Sequence, residues 1–401
     1  MTEERLWTKE FITTSIVNFA IMLSMYLLLV TMATYAIETY HTSTSIAGLV
    51  SSVFIIGALI GRLYAGKQIE RIGKKKMLFI GILIFVVMCF FYFLSVSLHV
   101  LIGIRLLQGI GAGISTTATG TIVSQAIPSK RKGEGIGYFS ISVVLATAIG
   151  PLIGVGLLNI FEYSSIFVFS LLMGIISLIL AFTIRGSTIE ETIDDEVIQQ
   201  RSFLSSFFEP KAIPIAIVTL VIAFAYSGIL SFITTYAANI NLTKAGGFYF
   251  FVYAVVILFT RPFTGKLMDV KGANSVAYPS IILFSLGMII ISQANSSFIF
   301  LFGAVVIGLG YGNFQSCTQA LAIKLTPIHR MGLANSTYFI FLDLALGLGP
   351  LILGSLIPIV GFKGMYLLLS AVIFSGLFVY YILHGKKDRE LTQLDIKRIS
   401  S

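Results

Sequence analysis

The chain has 401 residues, of which 56% are hydrophobic and only 11% are charged, and its net charge is +9. Soluble proteins average about 25% charged residues, so this composition excludes an ordinary soluble domain. The positive charge does not indicate a nucleic-acid partner, because most basic residues lie between apolar runs, where they determine membrane topology.

Twelve apolar runs follow one another along the chain. Each is close to the ~20 residues that a helix needs to cross a bilayer. The sequence therefore predicts an all-α polytopic membrane protein with twelve transmembrane helices in a lipid bilayer. The predicted spans cover residues 11–36, 46–68, 77–97, 99–124, 135–158, 164–184, 212–236, 247–267, 276–293, 298–323, 333–357 and 363–384.

The distribution of lysine and arginine predicts the orientation. If the N-terminus is cytoplasmic, Lys244 and Lys363 are the only lysine or arginine residues on the outer side of the membrane. Basic loops are retained in the cytoplasm, so the opposite orientation would invert this preference. We expect a multi-pass protein of the cell membrane with both termini in the cytoplasm.

The chain contains an internal duplication. The stretch RLYAGKQIERIG from Arg62 matches RPFTGKLMDVKG from Arg261 at an offset of 199 residues, and the pair Gly150-Pro151 recurs at Gly349-Pro350 at the same offset. We therefore expect two six-helix halves entered from the same side of the membrane. The predicted organisation is an N-terminal bundle (1–184), a cytoplasmic linker (185–211), a C-terminal bundle (212–384) and a cytoplasmic tail (385–401).

A charged motif lies between the second and third spans and contains Gly66, Glu70, Arg71 and Gly73. An acid there can pair with an arginine or a helix end of the other half. Because surface pairs stabilise by only ~0–1 kcal/mol each, they suit a latch that opens in every cycle. We predict a cytoplasmic gate, in preference to a mere tight turn. The gate also includes Arg62 and the second-half residues Arg261, Gly265 and Asp269, and ligand binding is the alternative role for the two arginines.

Two further motifs occupy the fourth and fifth spans. The fourth contains RLLQGIGAG from Arg105, and the fifth contains ATAIGPLIGVG, with Gly150, Pro151 and Gly154. Glycines let helices approach closely, and a proline kinks a transmembrane helix, so these elements suit helices that move past one another.

The repeat and these motifs resemble the major facilitator superfamily over essentially the whole chain. The loop motif is similar to that family's G-x-x-x-D-R-x-G-R-K signature, with Glu70 in place of aspartate. The fifth span is similar to G-x-x-x-G-P-x-x-G-G, with Ala146 and Val155 in place of two glycines. The resemblance implies two pseudo-symmetric bundles, transport by alternating access and no enzymatic activity. The motif of the fifth span further implies a proton-coupled exporter.

Charged residues that break the repeat are the candidates for specific chemistry. Glu38, Arg105 and Asp343 have uncharged counterparts in the other half. A charge at membrane depth costs roughly 2.5–3.5 kcal/mol, so such residues usually line a water-filled path. We predict proton coupling at Asp343, Glu38 and Arg105. The alternatives are a buried structural pair for Asp343, an interfacial acid in water for Glu38 and interhelical packing for Arg105.

Polar side chains at helical spacing are the candidates for the wall of a solute cavity. They are Ser24, Thr31, Thr34 and Tyr35 on the first span, Gln108 and Ser115 on the fourth, and Asn313 and Ser316 on the tenth. The two cysteines and four histidines form no ligand pattern in the sequence. No metal and no cofactor are therefore expected.

The sequence thus predicts a monomeric secondary active transporter that exports a small organic solute, either drug-like or a metabolite, in exchange for protons. Two transport alternatives stay open at this point. One is a narrow-specificity exporter of an opine-type metallophore, and the other is proton-coupled uptake of a sugar or an organic acid. A membrane-embedded enzyme is disfavoured, because the ionisable residues within the spans are too sparse for a catalytic cluster.

Overall fold

The computed structural model of the chain describes residues 6–42, 44–94, 97–184 and 207–386. These ranges are almost entirely helical and contain no strand. The first ten helices are α1 (Lys9–Tyr40), α2 (Thr44–Ile72), α3 (Lys74–Phe91), α4 (Leu98–Ala126), α5 (Lys132–Ile160), α6 (Ser164–Thr183), α7 (Ile213–Asn239), α8 (Thr243–Lys271), α9 (Asn274–Ser292) and α10 (Ser297–Lys324).

The last helical segment, Met331–Tyr380, is two helices divided at Gly361. Gly361 has a φ of 69°, a backbone conformation that is accessible to glycine at little cost and that ends the first helix. We call the two parts α11 (331–360) and α12 (362–380). The described residues thus contain twelve helices, which confirms the predicted twelve-helix architecture.

The hydropathy of the helices agrees with a membrane location. Within the described ranges, ten helical segments are long and apolar enough to cross a membrane, and the last of them covers both α11 and α12. The remaining helix, α2, has 29 residues and carries the charged motif at its end. Most observed helices begin and end within a few residues of the predicted spans.

The third predicted span, 77–97, was too long at its end. Helix α3 ends at Phe91 and is followed by a 3₁₀ turn, Tyr92–Leu94. Ser97 belongs to the next helix as its N-cap, because its hydroxyl accepts a hydrogen bond from the Val100 amide. Most of the predicted linker (185–206) and of the predicted tail (387–401) lies outside the described residues.

The described residues form two compact units. Each unit contains most of one predicted half together with a short segment of the other, so the units exchange parts of α5 and α11. The predicted halves therefore describe the sequence repeat rather than these units. Unit 1 comprises Met1–Pro128, Ser142–Pro210 and Thr326–Ile340, and unit 2 comprises Ser129–Ile141, Lys211–Leu325 and Phe341–Ser401, each within the described ranges.

Unit 1 is built around a close crossing of α2 and α4. A Cβ atom on Gly109 would lie 2.1 Å from the carbonyl oxygen of Phe54, and one on Gly113 would lie 2.2 Å from that of Ala58. Real Cβ atoms are essentially never found so close to another heavy atom. The two backbones therefore touch along this crossing, as small residues allow in membrane proteins.

Unit 2 differs from unit 1 in the corresponding helix. Helix α10 is interrupted by a π-helical turn at Gly308–Gly312, whereas α4 is continuous. The guanidinium group of Arg261 on α8 donates to the Gly312 carbonyl oxygen from Nε at 3.1 Å and from Nη2 at 3.0 Å. A π turn frees backbone carbonyls from the regular helical pattern, and Arg261 satisfies one of them.

The crossing of α2 and α4 makes a direct prediction. Gly109→Ala should destabilise the protein by about 1–3 kcal/mol, because the added methyl group forces the two backbones apart. Gly103→Ala on the same helix is the matched control, since a Cβ there meets nothing within 4 Å. The control should be neutral or slightly stabilising. Thermal unfolding of the purified protein in detergent compares them, and equal melting temperatures would contradict the close crossing.

Candidate functional site

A cavity of about 860 Å³ lies in unit 1 where α1 ends. The elements around it are the end of α1, the 3₁₀ turn after α3, the end of α5 and the start of α6. Its lining residues are Thr34, Tyr35, Glu38, Thr39, Tyr92, Phe93, Leu158, Phe161, Glu162, Tyr163, Ser164 and Phe167. We call this cavity the α1 pocket.

The α1 pocket is acidic. Two of its lining residues, Glu38 and Glu162, are carboxylates, and none of the described residues that line it is a lysine or an arginine. The Tyr163 hydroxyl donates to Glu38 Oε2 at 2.8 Å. Burial, and then the adjacent Glu38 carboxylate, raise the pKa of Tyr163 to about 12. Tyr163 therefore remains a neutral donor at physiological pH.

Aromatic rings form most of the remaining wall. The Tyr35 ring lies 5.0 Å from that of Tyr163 and 5.2 Å from that of Phe167, centroid to centroid. The Tyr92 ring is stacked on Phe167 at 5.0 Å with an interplanar angle of 12°. Ring faces carry partial negative charge and attract cations, so carboxylates and rings act in the same direction here.

The polar face predicted on the first span divides into two parts. Thr34, Tyr35 and Glu38 line the α1 pocket. Ser24 and Thr31 do not, since both are buried between helices. The Thr31 hydroxyl donates to the Leu27 carbonyl at 3.0 Å within its own helix. Neighbouring helices thus cover Ser24 and Thr31, whereas the side chains nearer the end of α1 line the pocket.

The motif of the fifth span explains how α1 is covered. A Cβ on Gly150 would lie 2.9 Å from the Cβ of Tyr26, and one on Gly154 would lie 3.0 Å from Thr31 Cγ2. Pro151 lies within α5 beside these glycines. The motif thus brings α5 against α1 at Tyr26 and Thr31, which precede the part of α1 that lines the α1 pocket.

The candidates on α4 are buried rather than exposed to a cavity. Arg105, Gln108 and Ser115 are all completely inaccessible to solvent. Ser115 donates to the Gly111 carbonyl at 2.8 Å. Arg105 Nη1 donates to Gln108 Oε1 at 3.1 Å. None of the three lines the α1 pocket.

The candidates in the second half lie in unit 2. Asn313 is buried, accepts a hydrogen bond from the Thr264 hydroxyl at 2.9 Å and donates to the Leu309 carbonyl at the same distance. Ser316 donates to the Asn313 carbonyl at 3.1 Å. Asp343 lies half-buried in α11. Proton coupling at Asp343 and solute contact at Asn313 and Ser316 remain predictions.

The second-half gate residues form a built contact within unit 2. Asp269, near the end of α8, accepts hydrogen bonds from the backbone amides of Gly133 at 2.8 Å and Glu134 at 2.9 Å. These amides belong to the first turn of α5, where unpaired N–H groups and the helix dipole favour a carboxylate. A Cβ on Gly265 would lie 2.6 Å from the Gly133 carbonyl oxygen, so this crossing also brings two backbones together.

Glu134 extends this contact with charged side chains. Its Oε2 lies 2.7 Å from Arg131 Nε, and its Oε1 lies 3.5 Å from Lys266 Nζ. Lys266 is on α8, so the start of α5 is joined to α8 by side chains as well as by backbone amides.

The first-half gate residues pack against the start of α11 within unit 1. The Ser336 hydroxyl donates to the Arg62 carbonyl at 2.7 Å, and a Cβ on Gly66 would lie 2.5 Å from Ser336 Oγ. Arg62 is buried, with its guanidinium 4.6 Å from the centre of the Phe339 ring and Nη1 3.2 Å from the Thr116 hydroxyl.

The rest of the loop motif forms the turn between α2 and α3. Gly73 has a φ of 90°, which other residues rarely adopt. Glu70 is half-buried and Arg71 is exposed. Gly66 and Gly265, which are equivalent in the repeat, lie at equivalent helix crossings. Gly66 lies where α2 meets α11, and Gly265 lies where α8 meets α5.

The sequence of this chain matches one family model along most of its length. The model is that of the Major Facilitator Superfamily, and it matches residues 14–345 and 215–397. The chain belongs to this superfamily. It is therefore a multi-pass membrane transporter and not an enzyme, and proteins of the superfamily carry small molecules across membranes.

Several superfamily members are similar to this chain. The staphylopine export protein of Staphylococcus aureus is 23% identical over 347 residues, which are 82% of this chain and 85% of that protein. The multidrug resistance protein MdtG of Dickeya zeae is 24% identical over 352 residues, 86% of each chain. The crystal structure of the human organic anion transporter MFSD10 has a TM-score of 0.80 at 14% identity and covers 94% of this chain and 100% of its own.

Several residues of the α1 pocket were not predicted from the sequence. Phe161, Glu162 and Tyr163 come from the short connection between α5 and α6, and Tyr92 comes from the turn after α3. An acid flanked by aromatic rings in the connection between two predicted spans was the available signal. Among the described residues, no cluster of histidine, cysteine and acidic side chains is arranged to hold a metal ion.

The contact between α8 and α5 leads to a second prediction. Asp269→Asn removes the charge and replaces one of two carboxylate oxygens with an amide nitrogen that cannot accept. Hydrogen bonds to charged groups stabilise by about 1.5–3 kcal/mol, so the melting temperature in detergent should fall. Glu38→Gln is the control, because that exposed carboxylate receives one hydroxyl and should change stability little. An unchanged melting temperature in Asp269→Asn would show that the carboxylate does not hold α5.

Proposed function

We propose that this transporter exports amphiphilic organic cations, acting as a monomer in the cell membrane with both termini in the cytoplasm. The observation that carries the proposal is the α1 pocket, an acidic and aromatic cavity at the end of α1. In the predicted orientation this end faces the outside. Pockets for small molecules combine apolar walls with a few polar groups, which is the composition found here.

The direction of transport is supported by the sequence relatives. Two similar superfamily members are named for export or for multidrug resistance. The motif of the fifth span, which resembles that of proton-coupled exporters, supports the same direction. The helices that carry the motif and the pocket are adjacent, since Gly154 on α5 contacts Thr31 on α1.

Proton exchange is the driving force that we propose. Glu38 has one hydrogen-bond partner in the pocket, the Tyr163 hydroxyl. A proton that reaches this carboxylate from outside removes its charge, and the attraction for a bound cation falls with it. Export and proton entry are thereby linked at one side chain. Asp343 is the second proton site in the proposal, because a carboxylate within a span is costly when charged.

The two helix crossings form the cytoplasmic gate in this proposal. In unit 2 the Asp269 carboxylate holds the start of α5, and in unit 1 the Ser336 hydroxyl holds α11 against α2. Each crossing depends on a few hydrogen bonds, which stabilise by about 0.5–3 kcal/mol each. Such contacts hold a closed side and still break within a transport cycle.

An opine-type metallophore exporter is the second candidate. The similarity to the staphylopine export protein favours it. A metallophore of this class carries carboxylates, and the acidic lining of the α1 pocket repels them. Buried arginines such as Arg105 would then have to bind the solute, but Arg105 is inaccessible to solvent. We therefore rank the cation exporter above this alternative.

The role of Glu38 is tested with ethidium, a planar aromatic cation, in liposomes that contain the purified protein and a pH-sensitive dye. Glu38→Gln should abolish ethidium-dependent proton flux, because the amide cannot take up the exchanged proton. Glu162→Gln is the matched control. The Glu162 carboxylate lines the same pocket without a hydrogen bond to Tyr163. Its replacement by an amide should therefore weaken ethidium binding and leave proton exchange intact. Wild-type flux in Glu38→Gln would remove Glu38 from the coupling mechanism.

The role of Asp343 is tested in the same liposomes. Asp343→Asn should abolish ethidium-dependent proton flux, whereas Asp343→Glu keeps the titratable group and should retain part of it. Size-exclusion chromatography checks that both variants are folded. Undiminished flux in Asp343→Asn would assign Asp343 a structural role.

A further inference from the structure

A buried polar cluster in unit 1 lies directly behind the α1 pocket. It contains Cys89 on α3, Tyr92 in the turn that follows, and Arg105 and Gln108 on α4. Gln108 is its centre. Its Oε1 accepts hydrogen bonds from the Tyr92 hydroxyl at 2.5 Å and from Arg105 Nη1 at 3.1 Å, and its Nε2 donates to Cys89 Sγ at 3.2 Å.

Arg105 connects this cluster to α2. Its Nε donates to the Val50 carbonyl at 3.2 Å, and its guanidinium lies 4.6 Å from the centre of the Phe54 ring. Nη2 has no hydrogen-bond partner among the described residues, and no carboxylate in that part of the chain pairs with Arg105. A buried cation without a counter-ion is costly, so the cluster is poorly explained by stability.

The other half of the repeat shows that the fold does not need this cluster. At the offset of 199 residues, all four cluster positions carry apolar residues in unit 2, and all four are fully buried there. The counterparts of Cys89, Tyr92, Arg105 and Gln108 are Met288, Ile291, Ala304 and Ile307. Equivalent positions of the same architecture are thus packed without any polar group. The cluster in unit 1 therefore serves a purpose other than folding.

Tyr92 belongs both to the cluster and to the pocket. Its ring lines the α1 pocket and is stacked on Phe167, another lining residue. Its hydroxyl points the other way, into the cluster, where it binds Gln108. A solute that packs against these two rings therefore acts on the side chain that holds the cluster in place.

The far end of the cluster reaches the tightest helix crossing of unit 1. Arg105 rests on the ring of Phe54, and the carbonyl of the same Phe54 is the group that Gly109 contacts across the crossing. Close-packed interfaces respond to a displaced group by shifting between discrete arrangements rather than by deforming. A displacement of Arg105 is thus transmitted to the contact between α2 and α4.

We propose that Tyr92 is a positioning residue that couples occupancy of the α1 pocket to the packing of α4 against α2, through Gln108 and Arg105. We call this chain of three side chains the Tyr92 relay. The proposal rests on the proposed function, because the pocket must bind the solute. The relay sets the rate of transport, whereas the carboxylates and rings of the pocket set the affinity.

The first test separates rate from affinity. Tyr92→Phe keeps the ring stacked on Phe167 and deletes only the hydroxyl. In liposomes loaded with DNA, the maximal rate of ethidium uptake under a proton gradient should fall about five- to tenfold, as expected for one lost hydrogen bond. The half-saturating ethidium concentration should change less than about twofold.

Tyr366→Phe is the matched control for this test. Its hydroxyl is also buried, but it donates to the Gly228 carbonyl at 3.3 Å within unit 2, and Tyr366 belongs to neither the pocket nor the relay. The control should keep both the maximal rate and the half-saturating concentration. A Tyr92→Phe variant with the wild-type rate would overturn the relay, and a parallel loss of affinity would make Tyr92 a binding residue instead.

The second test asks whether the cluster is structural. The triple variant Tyr92→Phe, Arg105→Met, Gln108→Met replaces the relay by apolar side chains of similar size, a change that is often neutral or stabilising for buried charged groups. We expect a melting temperature in detergent no lower than that of the wild type. We also expect retained ethidium binding, measured by fluorescence anisotropy, and loss of transport.

The two tests distinguish the relay from the proposed function. A clearly lower melting temperature of the triple variant would overturn the relay, because the cluster would then stabilise the fold. Wild-type protein that neither bound nor moved ethidium would contradict the proposed function, and the relay would fall with it. Wild-type transport together with an unaffected triple variant would remove the relay alone and leave the exporter in place.

Discussion

The absence of water inside a bilayer is the constraint on which this structure depends. Every backbone polar group within the membrane must be satisfied by the protein, so the spans are helices. Apolar surface gains little from leaving lipid, and helices are therefore held together by close packing. The glycines of α2 and α4 permit that packing, since Gly109 lies against the Phe54 carbonyl oxygen. The buried cluster reaches this crossing through Arg105, whose guanidinium lies 4.6 Å from the centre of the Phe54 ring.

The same constraint determines which polar residues are available for function. Asn313 and Thr31 satisfy their polar atoms within a helix or with a neighbouring one. Asp269 is satisfied by two backbone amides of α5. Their bonding capacity is used for structure. At the end of α1, by contrast, Glu38 binds a single hydroxyl and lines an open cavity, so its capacity to bind a proton or a cation remains. The proposed proton exchange is therefore assigned to a carboxylate at an open cavity rather than to a polar group buried between helices.

Hydropathy predicted the twelve helices because a transmembrane helix needs a minimum length of apolar residues, and this length can be read directly from the sequence. Helical spacing predicted that Glu38 and Thr34 share one face of α1, and both side chains line the α1 pocket. A helical wheel shows the direction of each side chain but not its burial or its neighbours. It therefore did not separate Glu38 and Thr34 from Ser24, which is buried by packing. The contribution of Tyr163 was missed because it comes from the connection before α6 and depends on tertiary packing. The π turn at Gly308–Gly312 was missed because its stabilising partner lies on another helix.

The duplication adds an argument that a single domain does not offer. Each half is a natural control for the other, because equivalent positions have been packed twice within one architecture. Where both halves keep glycine, as at Gly66 and Gly265, the geometry of a crossing requires it. Arg105 corresponds in the repeat to a buried Ala304, so the architecture requires no charge at this position. A costly residue that the fold can replace with an apolar one is best explained by what the protein does. That difference separates the transport mechanism from the scaffold.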